Sequence, residues 1–332
     1  RDKHTEITTY ADIGQYVLGR VGWWAVAALV IVLELAFCTG WVIVAADNLV
    51  IVINSKLITR ATMSMILFPL IGSLCCIRWL KDLWLFSVFG LIVYGCGVMG
   101  VVFVDAIVDS TKGHTPHVDI ARPSTLPLFF GQALYGLEAI LMALPVENSM
   151  KRPDLAPNVI AAGIGGYAVI GVIFGCVGYA FGLGSCSQDG GALVTDCLPE
   201  GAFTSVVRVA LATAMTIGYP ILLVPVTEIM EQLLVSKSPE KRRWQSPLLR
   251  FTEVGFTCGV AAVCTDFSVF SNIVGAVLVA AAGFIMPPLL HAKLFGFAAP
   301  WFHLALDGVL MVVGVAGAVV GVSTTMGWMS FD

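Results

Sequence analysis

The sequence predicts an all-α polytopic membrane protein of nine transmembrane helices, and three observations carry that prediction. Of 332 residues, 58% are hydrophobic and only 12% charged, with a mean hydropathy of +0.90, whereas a soluble chain has about a quarter of its residues charged. Apolar runs of about 20 residues, the length a helix needs to cross a hydrocarbon core of about 30 Å, recur along the whole chain. None of these runs shows the polar/apolar alternation of a membrane barrel strand.

In order, the runs are Trp23 to Ala46, Met63 to Leu80, Leu83 to Val108, Leu126 to Val146, Val159 to Leu183, Ala202 to Leu233, Phe251 to Thr265, Phe270 to Leu290 and Trp301 to Thr324. The seventh is the shortest and carries Glu253. Basic residues in the connections orient the set. One side collects Arg1, Lys3, Arg20, Arg78, Lys81, Lys151, Arg152, Lys237, Lys241, Arg242, Arg243, Arg250 and Lys293, and the other only Lys56, Arg60, Lys112 and Arg122. The expected organisation is a single transmembrane domain over 1–332, with a cytoplasmic N-terminal segment at 1–22, an outer loop at 185–201 and a basic cytoplasmic loop at 235–247. The chain opens on Arg1 with a polar stretch, which reads as a fragment or a processed product.

A formal net charge of −4 without a basic tail gives no reason to expect nucleic acid. Most of the nine cysteines fall in or beside the apolar runs and read as small buried hydrophobes. Cys186 and Cys197 bracket the polar loop "CSQDGGALVTDC", and on an outer, oxidising face they are expected to form a disulfide. No HExxH, GxSxG or paired CxxC occurs, and "GHTPH" makes no convincing metal site. The expectation is a protein that is not an enzyme and that carries no metal or cofactor.

The fourth run raises the functional question. In "FFGQALYGLE" a membrane helix carries Gly131, Gly136 and the carboxylate of Glu138. A carboxylate at bilayer depth costs about 2.5–3.5 kcal/mol, and an interior glycine about 1 kcal/mol against alanine. In secondary transporters such features mark a helix that breaks at the substrate site. The stretch then supplies Gln132 as a donor and acceptor, Ala133 as a small neighbour and Tyr135 as an aromatic wall. The competing reading is a glycine contact between packed helices, with Glu138 bonded to a neighbour. Glu34 is a second carboxylate within a run, either a proton carrier or a structural partner. Thr213 and Thr216 are candidates for lining a cavity, or for bonding back to their own helix. Asp307 and His303 share a helix face, Pro287 and Pro288 should bend their helix, and GxxxG pairs such as Gly171 with Gly175 and Gly317 with Gly321 read as close packing.

"LPLFFGQALYGLEAILMALPVENSM", followed by Lys151 and Arg152, resembles the amino acid/auxin permease family, and within it the proton-coupled amino acid transporters. "ELAFCTGWVIVAADNL", "IRWLKDLWLFSVFG" and "FIMPPLL" agree with that family in order and spacing. The resemblance implies an eleven-helix fold of two inverted five-helix repeats plus a final helix. If "ELAFCTGWVIVAADNL" is the third helix, the chain lacks the first two, and with them the other broken helix, which binds the substrate carboxylate in that fold. The first reading is a secondary active transporter of small neutral amino acids, coupled to a proton in preference to sodium, although the residues tied to proton coupling in the related branch lie on the missing first helix. Its unwound segment around Gly131 to Gly136 would hold the substrate amino group. The alternatives are a non-transporting amino acid sensor or scaffold of the same fold, or a transporter of auxin or a polyamine. The plasma membrane and a lysosomal or vacuolar membrane are both open.

Overall fold

The computed structural model describes residues 9–76, single positions and short stretches between 88 and 107, and residues 125–141, 143–180, 193–198, 200–235, 238–264, 266–296 and 300–327. Every regular element among them is helical. The helices are α1 Tyr10–Ile53, α2 Arg60–Cys75, α3 Leu126–Leu137, α4 Ala143–Ser149, α5 Ala156–Ala180, α6 Ala202–Leu234, α7 Pro239–Val263, α8 Phe267–Ile273, α9 Met286–Phe295 and α10 Trp301–Thr325. Two π-helical segments, Val274–Val279 and Ala281–Ile285, join α8 to α9. Among the described residues, five stretches are long and apolar enough to cross a membrane: Tyr10–Ile53, Pro153–Ala180, Ala202–Leu234, Phe267–Phe295 and Trp301–Thr325. The third expected run lies largely outside the described residues.

Three boundaries differ from the sequence expectation. The polar opening is helical from Tyr10, because Thr9 and Asp12 cap it reciprocally: the Thr9 N–H donates to Asp12 Oδ2 at 2.8 Å and the Asp12 N–H to Thr9 Oγ1 at 3.3 Å. Gly19, at φ 67°, then turns the chain in a conformation that suits glycine. At the other polar stretch, the expected loop 235–247 is helix from Pro239, with Ser238 at the N-cap. Polarity concealed it, since one stripe of this segment is held by Glu231 of α6 and needs no apolar face. The fourth run is two helices with a break between them.

The chain divides into two compact units. The first comprises Arg1–Leu33, Ala121–Val169 and Val269–Asp332. In it α3 lies against the segment Val274–Val279 and against α10. The approach is close because small residues meet: a side chain on Gly275 would collide with the Gly131 carbonyl, Gly317 lies under Phe130, and Gly321 faces Ala276. Gly317 and Gly321 thus pack as their spacing predicts. Gly171 and Gly175 of α5 do not, since a side chain at either would meet nothing within 4 Å among the described residues. Pro287 and Pro288 sit at the start of α9, directly after the wide π turns.

The second unit comprises Glu34–Ile120 and Ile170–Ser268. Here α2 and α7 interlock reciprocally: Phe251 covers Gly72, Phe68 covers Gly255, and the two rings meet edge-on at 6.0 Å. Trp41 of α1 covers Gly218 of α6. A charge within a span is accommodated by backbone: Arg208, 5% exposed, donates to the Thr195 carbonyl at 2.6 and 3.2 Å and to that of Leu198 at 3.5 Å. Arg60 ties α2 to α1 through Asp47, with Nη2 to Oδ2 at 2.8 Å, and donates to the Cys264 carbonyl just past α7 at 2.6 Å. Arg60→Ala strands Asp47 and that carbonyl together. It is expected to cost about 2 kcal/mol of stability, read as a lower Tm of the purified protein in detergent, while Arg60→Lys loses less.

Candidate functional site

The interruption between α3 and α4 is the feature of the first unit that a packing role does not explain. Gly131 to Leu137 are helical, and the break begins at Glu138, whose backbone is extended at φ −63° and ψ 124°. Unwinding around Gly131 to Gly136, as the sequence predicts, is therefore displaced by a few residues toward the C-terminus. The glycines are not where the helix fails, because Gly131 is needed inside the helix to let α3 approach the neighbouring π turn. The stop is set by the side chain after Leu137. Glu138 Oε1 accepts the Leu141 N–H at 3.2 Å, and the Ala143 N–H reaches the Ile140 carbonyl at 3.3 Å. The carboxylate thus acts as a cap for the chain entering α4.

This asymmetry decides what the break can bind. A helix C-terminus leaves its last carbonyls without intrahelical donors and carries partial negative charge. The carbonyls from Leu134 to Leu137 form such an end. On the far side of the break, a donor is already engaged by Glu138. A break of this composition offers backbone acceptors on its α3 side. Tyr135 is half-buried, and Gly136, whose missing side chain has nothing within 4 Å among the described residues, keeps the end of α3 open.

The other candidates fall into three places. Gln132 is engaged by α8: its Nε2 donates to Ser271 Oγ at 2.9 Å, and the Ser271 hydroxyl donates to Oε1 at 3.1 Å. Ala133 is half-buried in the same helix. Gly131 lies under Asn272, whose amide donates to Thr325 Oγ1 of α10, and Asn272 Oδ1 is buried without a hydrogen-bond partner among the described residues. Asn272 and Ser271 gave no sequence signal, since single polar residues in an apolar run do not reveal which helix they face. In the second unit, Glu34 is 1% exposed and stands one turn before Cys38, whose thiol bonds with Tyr219. Thr213 and Thr216 both donate to carbonyls of their own helix, Val209 and Ala212, each at 2.8 Å, with Thr213 on an exposed face and Thr216 buried. The side chains of the Cys186–Cys197 pair lie outside the described residues.

At Glu253 and Asp307, both carboxylates within apolar runs, the structure adds partners from other helices. Glu253, 5% exposed, accepts the Thr227 hydroxyl at Oε2 at 2.9 Å, while its Oε1 is buried without a hydrogen-bond partner among the described residues. Nearby in the same unit, the Tyr219 and Thr257 hydroxyls meet at 2.6 Å. The available signal was the carboxylate of Glu253 inside an apolar run. Asp307 takes its partner from α9 and not from its own helix: Oδ2 lies 2.6 Å from His291 Nδ1, and His303 is a ring neighbour of His291 at 6.2 Å.

A membrane chain built of long apolar helices, with one of them interrupted around a carboxylate, has the architecture of a solute transporter. The chain belongs to the transmembrane amino acid transporter protein family, which it matches over residues 1–326. Among its relatives, amino acid transporter AVT3B of Arabidopsis thaliana is 29% identical over 98% of this chain and 78% of that protein. AVT3C of the same plant is 28% identical over 96% and 74%. Vacuolar amino acid transporter 3 of Schizosaccharomyces pombe is 24% identical over 92% of this chain and 47% of its own length. These relatives are transporters, not enzymes, and the family assignment agrees with the motif resemblance at "LPLFFGQALYGLE".

The packing around Gly131 is testable apart from function. Gly131→Val would drive a side chain into Asn272, and the overpacking is expected to cost about 1–3 kcal/mol, seen as a lower Tm. Gly136→Ala, in open space within the helix, should not lower Tm.

Proposed function

We propose that this protein is a secondary active transporter of small neutral amino acids that works by alternating access and is driven by protons in preference to sodium. The observation that carries the reading is the break at Glu138, a helix interrupted within an apolar run and held open by its own carboxylate. The substrate ammonium binds at the carbonyl end of α3, Tyr135 walls the site, and Glu138 keeps the break from closing into continuous helix. Gly131, Gln132 and Ala133 set the position of that helix through their contacts with α8 and the π turn. Carboxylates such as the buried Glu34 and the half-buried Glu138 supply groups able to exchange a proton as the cavity changes its access to water. The nine spans belong to an eleven-helix inverted-repeat fold, with the N-terminus cytoplasmic. The vacuolar name of the fission yeast relative favours a vacuolar or equivalent acidic membrane.

The test is uptake of labelled neutral amino acids by proteoliposomes under an imposed pH or sodium gradient. Acceleration by the pH gradient alone supports the reading, while binding without uptake overturns it in favour of a sensor, and uptake driven only by sodium overturns the proton. Glu138→Gln keeps an acceptor for Leu141 but weakens a charge-assisted bond of about 1.5–3 kcal/mol, so uptake should fall about tenfold or more with the protein still inserted. Unchanged uptake would remove Glu138 from the mechanism.

A further inference from the structure

The start of α7 has a built surface that transport does not use. Between Pro239 and Arg250 the helix is polar, yet Trp244 is 79% and Leu248 65% exposed. The opposite stripe is fully engaged. Arg242, Ser246 and Arg250, spaced by four, converge on Glu231 of α6: Arg242 Nη2 lies 3.3 Å from Oε2, Arg250 Nη2 3.4 Å from Oε1, and the Ser246 hydroxyl donates to Oε1. Arg250 Nη1 also donates to the Cys75 carbonyl at the end of α2, at 2.7 Å. This clasp fixes the rotation of α7 about its axis.

With that rotation fixed, the outward face follows from helical spacing. At roughly 100° per residue, Lys241, Trp244 and Leu248 fall on the side opposite Arg242, Ser246 and Arg250. The same outward stripe continues up the span through Thr252, Phe256 and Val263, the last two 58% and 80% exposed. The sequence places a membrane run at Phe251 to Thr265 within α7, and on that reading this stripe faces lipid and Trp244 and Leu248 extend it to the polar end of the helix. Lys241 and Arg243 are exposed there, and Arg242 is 60% exposed despite its ion pair. The run "SKSPEKRRW" holds four basic residues and one acid. A tryptophan beside clustered cations is the arrangement that meets the headgroup boundary, with the indole at the interface and the cations among the phosphates.

We propose that the start of α7 is a binding site for anionic phospholipid headgroups, with Trp244 and Leu248 at the acyl boundary and Lys241 and Arg243 on the headgroup charges. Continuity with the lipid-facing stripe selects a membrane lipid over a soluble acidic protein, and the clustered cations select an anionic lipid over a zwitterionic one. The test reconstitutes the full protein in phosphatidylcholine vesicles containing phosphatidylserine, with bromine placed on one lipid or the other at equal mole fraction. Trp244 quenching is taken as the difference between wild type and Trp244→Phe. Brominated phosphatidylserine should quench Trp244 about twofold more than brominated phosphatidylcholine. In Lys241→Gln/Arg243→Gln that preference should vanish with quenching by both lipids retained, and in Lys241→Arg/Arg243→Lys it should persist. Equal quenching by the two lipids in wild type, or an unchanged preference in the Gln variant, overturns the proposal. Weak quenching by both lipids also overturns it, by placing Trp244 in water and available to a soluble partner. The readout is fluorescence and not flux, so it stands apart from the transport reading.

Discussion

A backbone inside hydrocarbon has no water to satisfy its polar groups, and this protein is organised around that constraint. Among the described residues helix meets it along most of the apolar runs, and between α3 and α4 the chain leaves the helix at Glu138. There a carboxylate takes over what the helix no longer provides, accepting the Leu141 N–H and ordering the entry into α4. Because the carboxylate serves the N–H side of the break, the carbonyl side keeps the partial negative charge of a helix C-terminus.

The same constraint explains the treatment of polar side chains in the spans. Arg208 is neutralised by carbonyls and not by an acid. Thr39, Asn48, Thr216 and Ser323 each donate to a carbonyl one turn back in their own helix. Such local bonds make these residues compatible with burial but say little about function. The cross-helix bonds carry more information: Gln132 with Ser271 and Asn272 with Thr325 in one unit, Thr227 with Glu253 and Tyr219 with Thr257 in the other. Each joins two helices where lipid would otherwise compete, and each satisfies polar atoms that hydrocarbon would leave bare.

Small residues and charges divide the labour of packing. In the first unit glycines let α3, the π turn and α10 approach closely, which holds Gly131 and Gln132 against α8 and leaves the end of α3 projecting toward the break. In the second, aromatic rings fill glycine notches between α2 and α7, and ionic clasps at Asp47 and Glu231 secure the helix ends, where water and headgroups reach. The Glu231 clasp also orients the start of α7.

The sequence by itself determined the membrane class, the family and the helix in which a carboxylate had to be accommodated, because hydropathy and motif spacing are local sums that need no partner. It also carried the Gly317–Gly321 contact. It did not determine where α3 ends, because a glycine spacing reads the same for a break as for a close approach, and only Asn272, far along the chain, decides that Gly131 stays helical. Nor did it reveal that the basic stretch before Phe251 is helix, since the stabilising face there is a polar clasp on Glu231. Tertiary structure alone settled these points. A pairing such as Gln132 with Ser271, 139 residues apart, is chosen by which helices are brought together, and no local pattern encodes that choice.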